Sequence, residues 1–417
     1  MIAGLNTHAK EFRRTPDGII VYPDTTFSGN TQVVRLQLID EGIVRVLGIA
    51  DSTLLPLKSM MISGRSKPVK FDIISNEKFV TLKTLKLSVT VDLQTGRVSF
   101  FNILGEIILA EKQLGRSLYP VVFDGEKLFA VTQDFVTSSD DSRYGLGQHQ
   151  NGLMDYKTYQ VQLFQNNTEV AVPFLVSRKN YGILWDNYSL TKFGDVRPYQ
   201  PLNQLRLFSK DDQGGWLTAT YSNDRHNAGD VLVQRPESDI HLEFLGDSKL
   251  YLPQKFNPAN GIVKWEGSIA SDAEGVYKLR LTFGGYLKVW IDGNLLLDKW
   301  RVCWNPASAV LDIPFQQGKK YAFRIEWIPD GGESYLSLKT LSPLSADEKN
   351  SFSFSSEAAQ QLDYYFIYGE DIDQVISGYR QLTGKATMLP RWAFGFWQSR
   401  ERYKTQEEIL ATVAEFR

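Results

Sequence analysis

The chain reads as mainly β, with an N-terminal β-sandwich, a second β-rich body in its middle, and one strand followed by one helix at its C-terminal end. Three observations predict this. Apolar and polar residues alternate in run after run before residue 370, turn residues recur between the runs, and long helical spacing is scarce until then. Aromatic residues make up 12% of the chain, which suits the half-buried pleated surface of sheets.

The elements follow in order. Val33–Leu38 alternates after its first residue, and Ile43–Val46 does the same. Leu85–Leu93 alternates over nine residues, meets the turn Gln94-Thr95-Gly96 and leads into Val98–Phe101, which predicts a hairpin with one buried face. The first ~225 residues therefore predict a two-layer sandwich. A second body runs from about Val231 to Leu344. Gly275–Leu281 alternates, Leu287–Ile291 enters an Asp292-Gly293 turn, and Tyr321–Trp327 alternates again. Leu362–Tyr368 is a further apolar strand. Asp371 and Asp373 suit the start of a helix with Val375, Ile376 and Tyr379 on one face, broken at Thr383-Gly384-Lys385. Trp392–Trp397 is apolar on both faces, which predicts a strand buried on both sides, as in a parallel sheet. Thr405 and Glu408 form a capping box ahead of Ile409, Leu410, Val413 and Phe416.

A single strand–helix unit cannot bury itself. From Arg391 onward about 27 residues remain, whereas a (β/α)8 barrel takes about 250. The expectation is that the sequence ends part-way into a larger domain. The alternative is a short terminal strand and helix packed on the sandwich.

Composition excludes several function classes. Lys and Arg total 46 against 48 Asp and Glu, a net charge of −2, so the basic excess of a nucleic-acid binder is missing and no such partner is expected. No run approaches the ~20 apolar residues of a membrane span. Met1–Arg14 holds no apolar run of signal length, which leaves the cytoplasm, or export after removal of a leader, open. The single cysteine, Cys303, excludes an intramolecular disulfide framework. Between Val302 and Trp304 it reads as a small buried apolar residue, and Trp300 and Trp304 beside it are expected in the core, a sugar platform being the alternative. His8, His149, His226 and His241 have no ligand spacing, so no metal and no cofactor is expected. Tyr144-Gly145-Leu146-Gly147-Gln148-His149 lacks the glycine a dinucleotide fingerprint needs at Gln150 and reads as a tightly packed turn. Asp140-Asp141, Asp211-Asp212 and Glu407-Glu408 read as solvated pairs. Asn-x-Ser/Thr triplets at Asn166 and Asn187 are of the kind chance supplies.

Two clusters carry candidate chemistry. Trp397, Gln398, Ser399, Arg400, Glu401, Arg402 and Tyr403 lie just beyond the C-terminal end of the predicted strand, the end that faces the active site of a barrel. Fork donors, acceptors and flat rings are what hydroxyl-rich, apolar-faced sugars require. The plainer reading is a solvated loop. Phe164-Gln165-Asn166-Asn167-Thr168 is amide-rich and precedes Pro173, and its plainer reading is a surface turn.

These stretches resemble one family. Tyr364–Gly369, Tyr379–Lys385 and above all Met388–Arg400 are similar to the barrel entrance of glycoside hydrolase family 31. The Gln398–Tyr403 version is similar to its α-xylosidase branch. Tyr144–Gly147, Pro173–Ser177 and Tyr181–Ile183 resemble the family's N-terminal sandwich. Trp265–Gly267, Gly284–Gly293 and Tyr321–Trp327 resemble a protective-antigen-type carbohydrate-binding module. The resemblance implies four segments: a sandwich over 1–228, an inserted module over 229–345, a return to the sandwich with a linker helix over 346–385, and the start of a (β/α)8 barrel over 386–417. It implies a retaining α-glycosidase that takes an oligosaccharide, most simply an α-xylosidase releasing xylose from xyloglucan fragments. Its two catalytic aspartates would lie beyond Arg417, so no catalytic residue is assigned, and this portion is expected to be inactive alone. Substrate-shaping roles fall to Gln165, Asn166, Asn167, Trp397, Arg400, Glu401, Arg402 and Tyr403. Glu401 stands where glucosidases tend to have an aromatic residue. An α-glucosidase or transglycosylase of the same family and a non-catalytic glycan-binding protein are the alternatives, and a homo-oligomer is left open.

Overall fold

The computed structural model describes residues 11–417 except 52–57, 65, 67, 168, 228, 244 and 332–334. His8 and most of Met1–Arg14 therefore lie outside the described residues, as does the residue expected to end the sandwich.

Two antiparallel sheets form the first body. The eight-stranded sheet runs, in spatial order, Glu11–Thr15, Gly18–Tyr22, Val33–Asp40, Ile43–Ile49, Leu362–Tyr368, Tyr181–Trp185, Val170–Ser177 and Arg143–Gln148. The nine-stranded sheet runs Gln160–Leu163, Thr191–Gly194, Ser351–Ala359, Glu126–Val136, Ile107–Phe123, Val98–Phe101, Ser88–Asp92, Phe79–Lys83 and Asp72–Ser75. Period-two alternation explains the facing. Val34, Leu36 and Leu38 are buried in the core between the sheets, while Arg35 and Gln37 are half-buried on the other face. Phe100, Phe135, Trp185, Phe354, Tyr364 and Phe366 share that core.

The alternation over Leu85–Leu93 overstates its strand. Ser88–Asp92 is the strand, because the Thr84 hydroxyl accepts from the Leu87 amide at 3.0 Å and turns the chain first. Nor is Tyr144–Gly147 a turn. It lies in the edge strand Arg143–Gln148, whose register shifts between Gly145 and Gly147. A Cβ on Gly147 would stand 1.9 Å from the Val170 carbonyl oxygen, so close packing does require glycine there. Asp141 is not solvated as its pair with Asp140 suggested. It is buried and accepts from the Thr137 hydroxyl at 2.8 Å and the Tyr181 hydroxyl at 2.7 Å.

Leu362–Tyr368 sits mid-sheet, paired with Ile43–Ile49 on one side and Tyr181–Trp185 on the other. Its second face is covered by the helix Ile372–Thr383, which brings Val375 and Leu382 against Phe174, Val176, Tyr365 and Ile367. The Asp371 carboxylate caps that helix, accepting from the Gln374 amide at 2.8 Å, and Gly384 ends it with φ +95°. Ile376 does not share the buried face. The stripe is Val375, Gly378 and Leu382, and Ile376 turns to solvent one position off it.

The second body is also a sandwich, of a five-stranded and a seven-stranded sheet. Leu279, Leu281, Leu287, Val289, Trp265 and Trp327 lie between them. Its first strands come earlier than expected. Gln200–Pro201 pairs with Leu336–Leu341, while Arg206–Ser209 and Leu217–Ser222 pair with Ile262–Ala270. Leu202, Leu207 and Leu217 belong to its core. The sheets therefore move the boundary from residue 228 to about residue 200, because the strands at 206–222 find their hydrogen bonds in the second body and bury Leu207, Leu217, Ala219 and Tyr221 there. The chain leaves the first sandwich after Gly194 and rejoins it at Ser351.

Residues 386–417 depart most from expectation. The predicted strand Trp392–Trp397 is a short 3-10 turn, Arg391–Phe394, followed by irregular chain. Trp392, Phe394, Phe396 and Trp397 are exposed. A doubly buried strand needs flanking strands to bond its backbone, and among the described residues none lies beside it. The helix Gln406–Glu415 does form. The Thr405 hydroxyl accepts from the Glu408 amide at 3.2 Å, and the Glu408 carboxylate accepts from the Lys404 amide at 2.7 Å, one residue short of the usual capping-box partner.

Candidate functional site

The loop 164–169 joins Gln160–Leu163, at the edge of the nine-stranded sheet, to Val170–Ser177 of the other sheet. It crosses from layer to layer, and Phe164, Gln165, Asn166 and Asn167 are exposed there. The second body stands beside this loop, and a cleft of about 560 Å³ lies between the two bodies. From the sandwich it takes His149, Gln150, Gln162, Asn166, Asn167 and Glu169; from the second body come Tyr199, Glu243, Arg280, Thr282, Arg301 and Asn305.

The sides of the junction are pinned by polar contacts. The Tyr159 hydroxyl donates to Asp312 Oδ2 at 2.8 Å, while Lys278 Nζ donates to Oδ1 at 2.9 Å and stands 3.8 Å over the Tyr159 ring. The Arg280 guanidinium lies 4.3 Å over the Tyr199 ring. Burial pushes the Tyr199 phenol up to about 12. Burial, the largest single influence, raises the Glu243 carboxyl, but the 2.8 Å bond from Lys339, the charge of that lysine, and smaller contributions from Ser337 and His241 together outweigh it and hold the group below its ordinary value. The His149 ring is buried, with Nε2 2.9 Å from the Leu146 carbonyl and Nδ1 3.6 Å from Glu169.

The expected residues divide. Asn166 and Asn167 line the cleft. Gln165 does not. Its side chain is spent on the loop, accepting from the Ala171 amide at 3.2 Å and donating to the Glu169 carbonyl at 2.8 Å. Thr168, which completes the triplet at Asn166, lies outside the described residues. The residues 397–403 form a separate, exposed group. The Trp397 indole donates to the Ala393 carbonyl at 3.0 Å, Gln398 donates to the Tyr403 hydroxyl at 2.9 Å, Arg400 stands 5.4 Å over the Tyr403 ring, and Arg402 pairs with Glu401 at 3.5 Å. Among the described residues no hydrogen bond, ion pair or ring contact joins this group to the loop 164–169. Sequence reading missed Tyr199, Glu243, Arg280 and Arg301. The alternation placed Arg280 on the outer face of its strand, but nothing in a linear pattern says which body that face meets.

Chemically the cleft offers amide and guanidinium donors, carboxylate and carbonyl acceptors, and a cation-backed ring. That set is chemically suited to hydroxyl-rich ligands. Cys303 is only half-buried, its thiol donating to the Pro329 carbonyl at 2.8 Å, and Trp300 and Trp304 are exposed rather than in the core. Among the described residues no helix is long and apolar enough to cross a membrane.

Comparison with known proteins gives three family matches: a glycosyl hydrolase 31 N-terminal galactose mutarotase-like domain over residues 33–193, a PA14 domain over 212–348, and the family 31 TIM-barrel domain over 386–417. The crystal structure of a family 31 α-xylosidase from Xanthomonas citri is similar over 97% of this chain and 44% of that one, at 38% identity and a TM-score of 0.83. An α-xylosidase of Saccharolobus solfataricus is 27% identical over 92% of this chain and 33% of its own length. An isomaltosyltransferase of Sporosarcina globispora is 44% identical over 17% of this chain and 7% of its own length. The chain thus spans a third to under half of the two α-xylosidases.

Proposed function

This chain belongs to glycoside hydrolase family 31 and resembles its α-xylosidases, and from that premise we propose that it forms the substrate-shaping part of a retaining α-xylosidase acting on xyloglucan oligosaccharides. The observation that carries the reading is the likeness to an α-xylosidase along 97% of the chain, inserted module included. Asn166 and Asn167 reach over the mouth of the site. Trp397, Arg400, Glu401, Arg402 and Tyr403 border the sugar subsites once barrel strands surround them. The cleft beside Arg280 and Tyr199 receives the outer sugars of longer substrates. Hydrolysis proceeds by double displacement, one carboxylate attacking the anomeric carbon and the other protonating the leaving oxygen, then activating water, the two about 5–5.5 Å apart. Those aspartates belong to barrel strands later than Arg417.

The test is release of sugar from aryl α-xyloside and aryl α-glucoside by the 417-residue chain and by a chain continued through a complete barrel. Xylose release by the longer chain alone is expected. Glucose release instead would keep the family and overturn the sugar. Turnover by the 417-residue chain would overturn the placing of the carboxylates. The isomaltosyltransferase likeness favours a glucosyl-acting alternative; under it, Glu401→Trp leaves the sugar preference unchanged, whereas the xylosidase reading expects a shift.

A further inference from the structure

We propose that the outer face of the module's seven-stranded sheet is a second glycan-binding platform, built on Trp300 and Tyr286 and separate from the cleft. On Gly285–Ile291 the residues Leu287, Val289 and Ile291 point into the core, which turns Tyr286, Lys288 and Trp290 outward. Trp300 is the cross-strand partner of Tyr286. The two rings are 53% and 44% exposed, their centroids 6.1 Å apart and their planes 48° from parallel.

An exposed indole is normally free to change rotamer, but this one is held. Trp300 Nε1 donates to Asp330 Oδ2 at 3.2 Å, and Asp330 Oδ1 accepts from Arg225 Nη1 at 2.9 Å. Arg225 is itself anchored, its guanidinium donating to the Ala259 carbonyl. A large ring fixed in solvent by a two-step relay is preorganised for stacking and pays little ordering entropy on binding. Four residues along the strand, roughly 13 Å away, Trp290 lies under the Arg324 guanidinium at 4.6 Å and borders a concavity with Ser209, Glu266 and Ser268.

The charges of this face are matched among themselves. Lys288 pairs with Asp298 at 3.1 Å, Glu326 takes both Lys264, at 3.0 Å, and Arg324, and Glu266, the cross-strand partner of Arg324, supplies the third carboxylate against the three cations. A face of fixed rings and neutralised charge suits an uncharged ligand with flat apolar faces and hydroxyl edges, which describes a neutral pyranose chain. It does not suit a polyanion, which needs unmatched cations. The cleft is a different surface. Arg280, Thr282, Ser308 and Val310 line it from the five-stranded sheet, and of the seven-stranded sheet only Arg301, at the end of the edge strand, reaches it, while Trp300 and Tyr286 do not line it.

The test is calorimetric titration of the 417-residue chain with cellohexaose and a xyloglucan heptasaccharide. Trp300→Ala and Tyr286→Ala should each weaken binding about tenfold. Asp330→Ala should weaken it too while keeping both rings, and the cleft variant Asn166→Ala/Asn167→Ala, which the proposed function expects to weaken the heptasaccharide, should leave cellohexaose binding unchanged. Near-ultraviolet circular dichroism checks that each variant is folded. Undiminished binding by folded Trp300→Ala, or no binding of either sugar by the parent chain, would overturn the platform. Binding lost only in the cleft variant would overturn it while leaving the proposed function standing.

Discussion

Tyr159 and Asp312 meet across the junction of the two bodies, and their chemistry makes the junction sensitive to alkali. Burial first, and then the bond to Asp312, pushes the Tyr159 phenol up to about 12. A tyrosine whose folded value lies above its free value of about 10 contributes stability that is complete below pH 10 and lost as pH rises toward 12. Tyr159→Phe should therefore lower the urea midpoint at pH 9, by the equivalent of about 1 kcal/mol for one hydrogen bond. The deficit should shrink between pH 10 and 12 as the parent loses the same bond; a deficit constant across that range would deny the bond its role. Asn166 and Asn167 make a second case at this scale. On the proposed function, changing both to Ala in a chain with a complete barrel should raise KM for a xyloglucan heptasaccharide several-fold. The kcat on an aryl α-xyloside, which occupies fewer subsites, should stay near the parent's. The amide-rich composition of this loop was legible in the sequence; that Gln165 turns back to hold the loop was not, because an amide's partners are set by the local fold.

Strands were the most legible elements. Val33–Asp40, Gly275–Phe283 and Tyr321–Ile328 all stand where alternation placed them, since period two with a buried face has one folded outcome. The strand expected at Trp392–Trp397 shows the limit of that logic. A run apolar on both faces states what would satisfy it, two layers and two neighbours, but supplies neither. Caps were legible for the opposite reason, being complete within four residues. Asp371→Ala should destabilise the first sandwich by about 1 kcal/mol, seen as a lower urea midpoint. Ile376→Ser should change it by less than about 0.5 kcal/mol, since that side chain faces solvent although its spacing argued otherwise. Equal losses from the two would mean that Ile376 is buried.

The molecule as a whole is one sandwich interrupted by another. Leu362–Tyr368, which follows the module, lies at the middle of the first sheet and joins Ile43–Ile49 to Tyr181–Trp185. The first sandwich therefore cannot close until the chain has passed through the module. Yet the passage leaves little mark on it, because Gly194 and Ser353 are direct partners on adjacent antiparallel strands. Paired residues on such strands have Cα atoms only about 5 Å apart, a gap that a short turn spans. Alternation reveals strands but not which ends meet, so this arrangement came from the family resemblance and its boundary from the sheets. It leads to an asymmetric prediction. Replacing residues 198–347 by a short Asn-Gly turn should leave a folded sandwich, with near-ultraviolet dichroism from Trp185 and its stacked neighbour Phe354 retained and a single cooperative urea transition. A chain ending at residue 345, which keeps the module but lacks Ser351–Ala359 and Leu362–Tyr368, should lose that transition and keep the module's own. If the excised chain fails to fold while the shortened one keeps both transitions, the module is a structural support of the first sandwich rather than a guest within it.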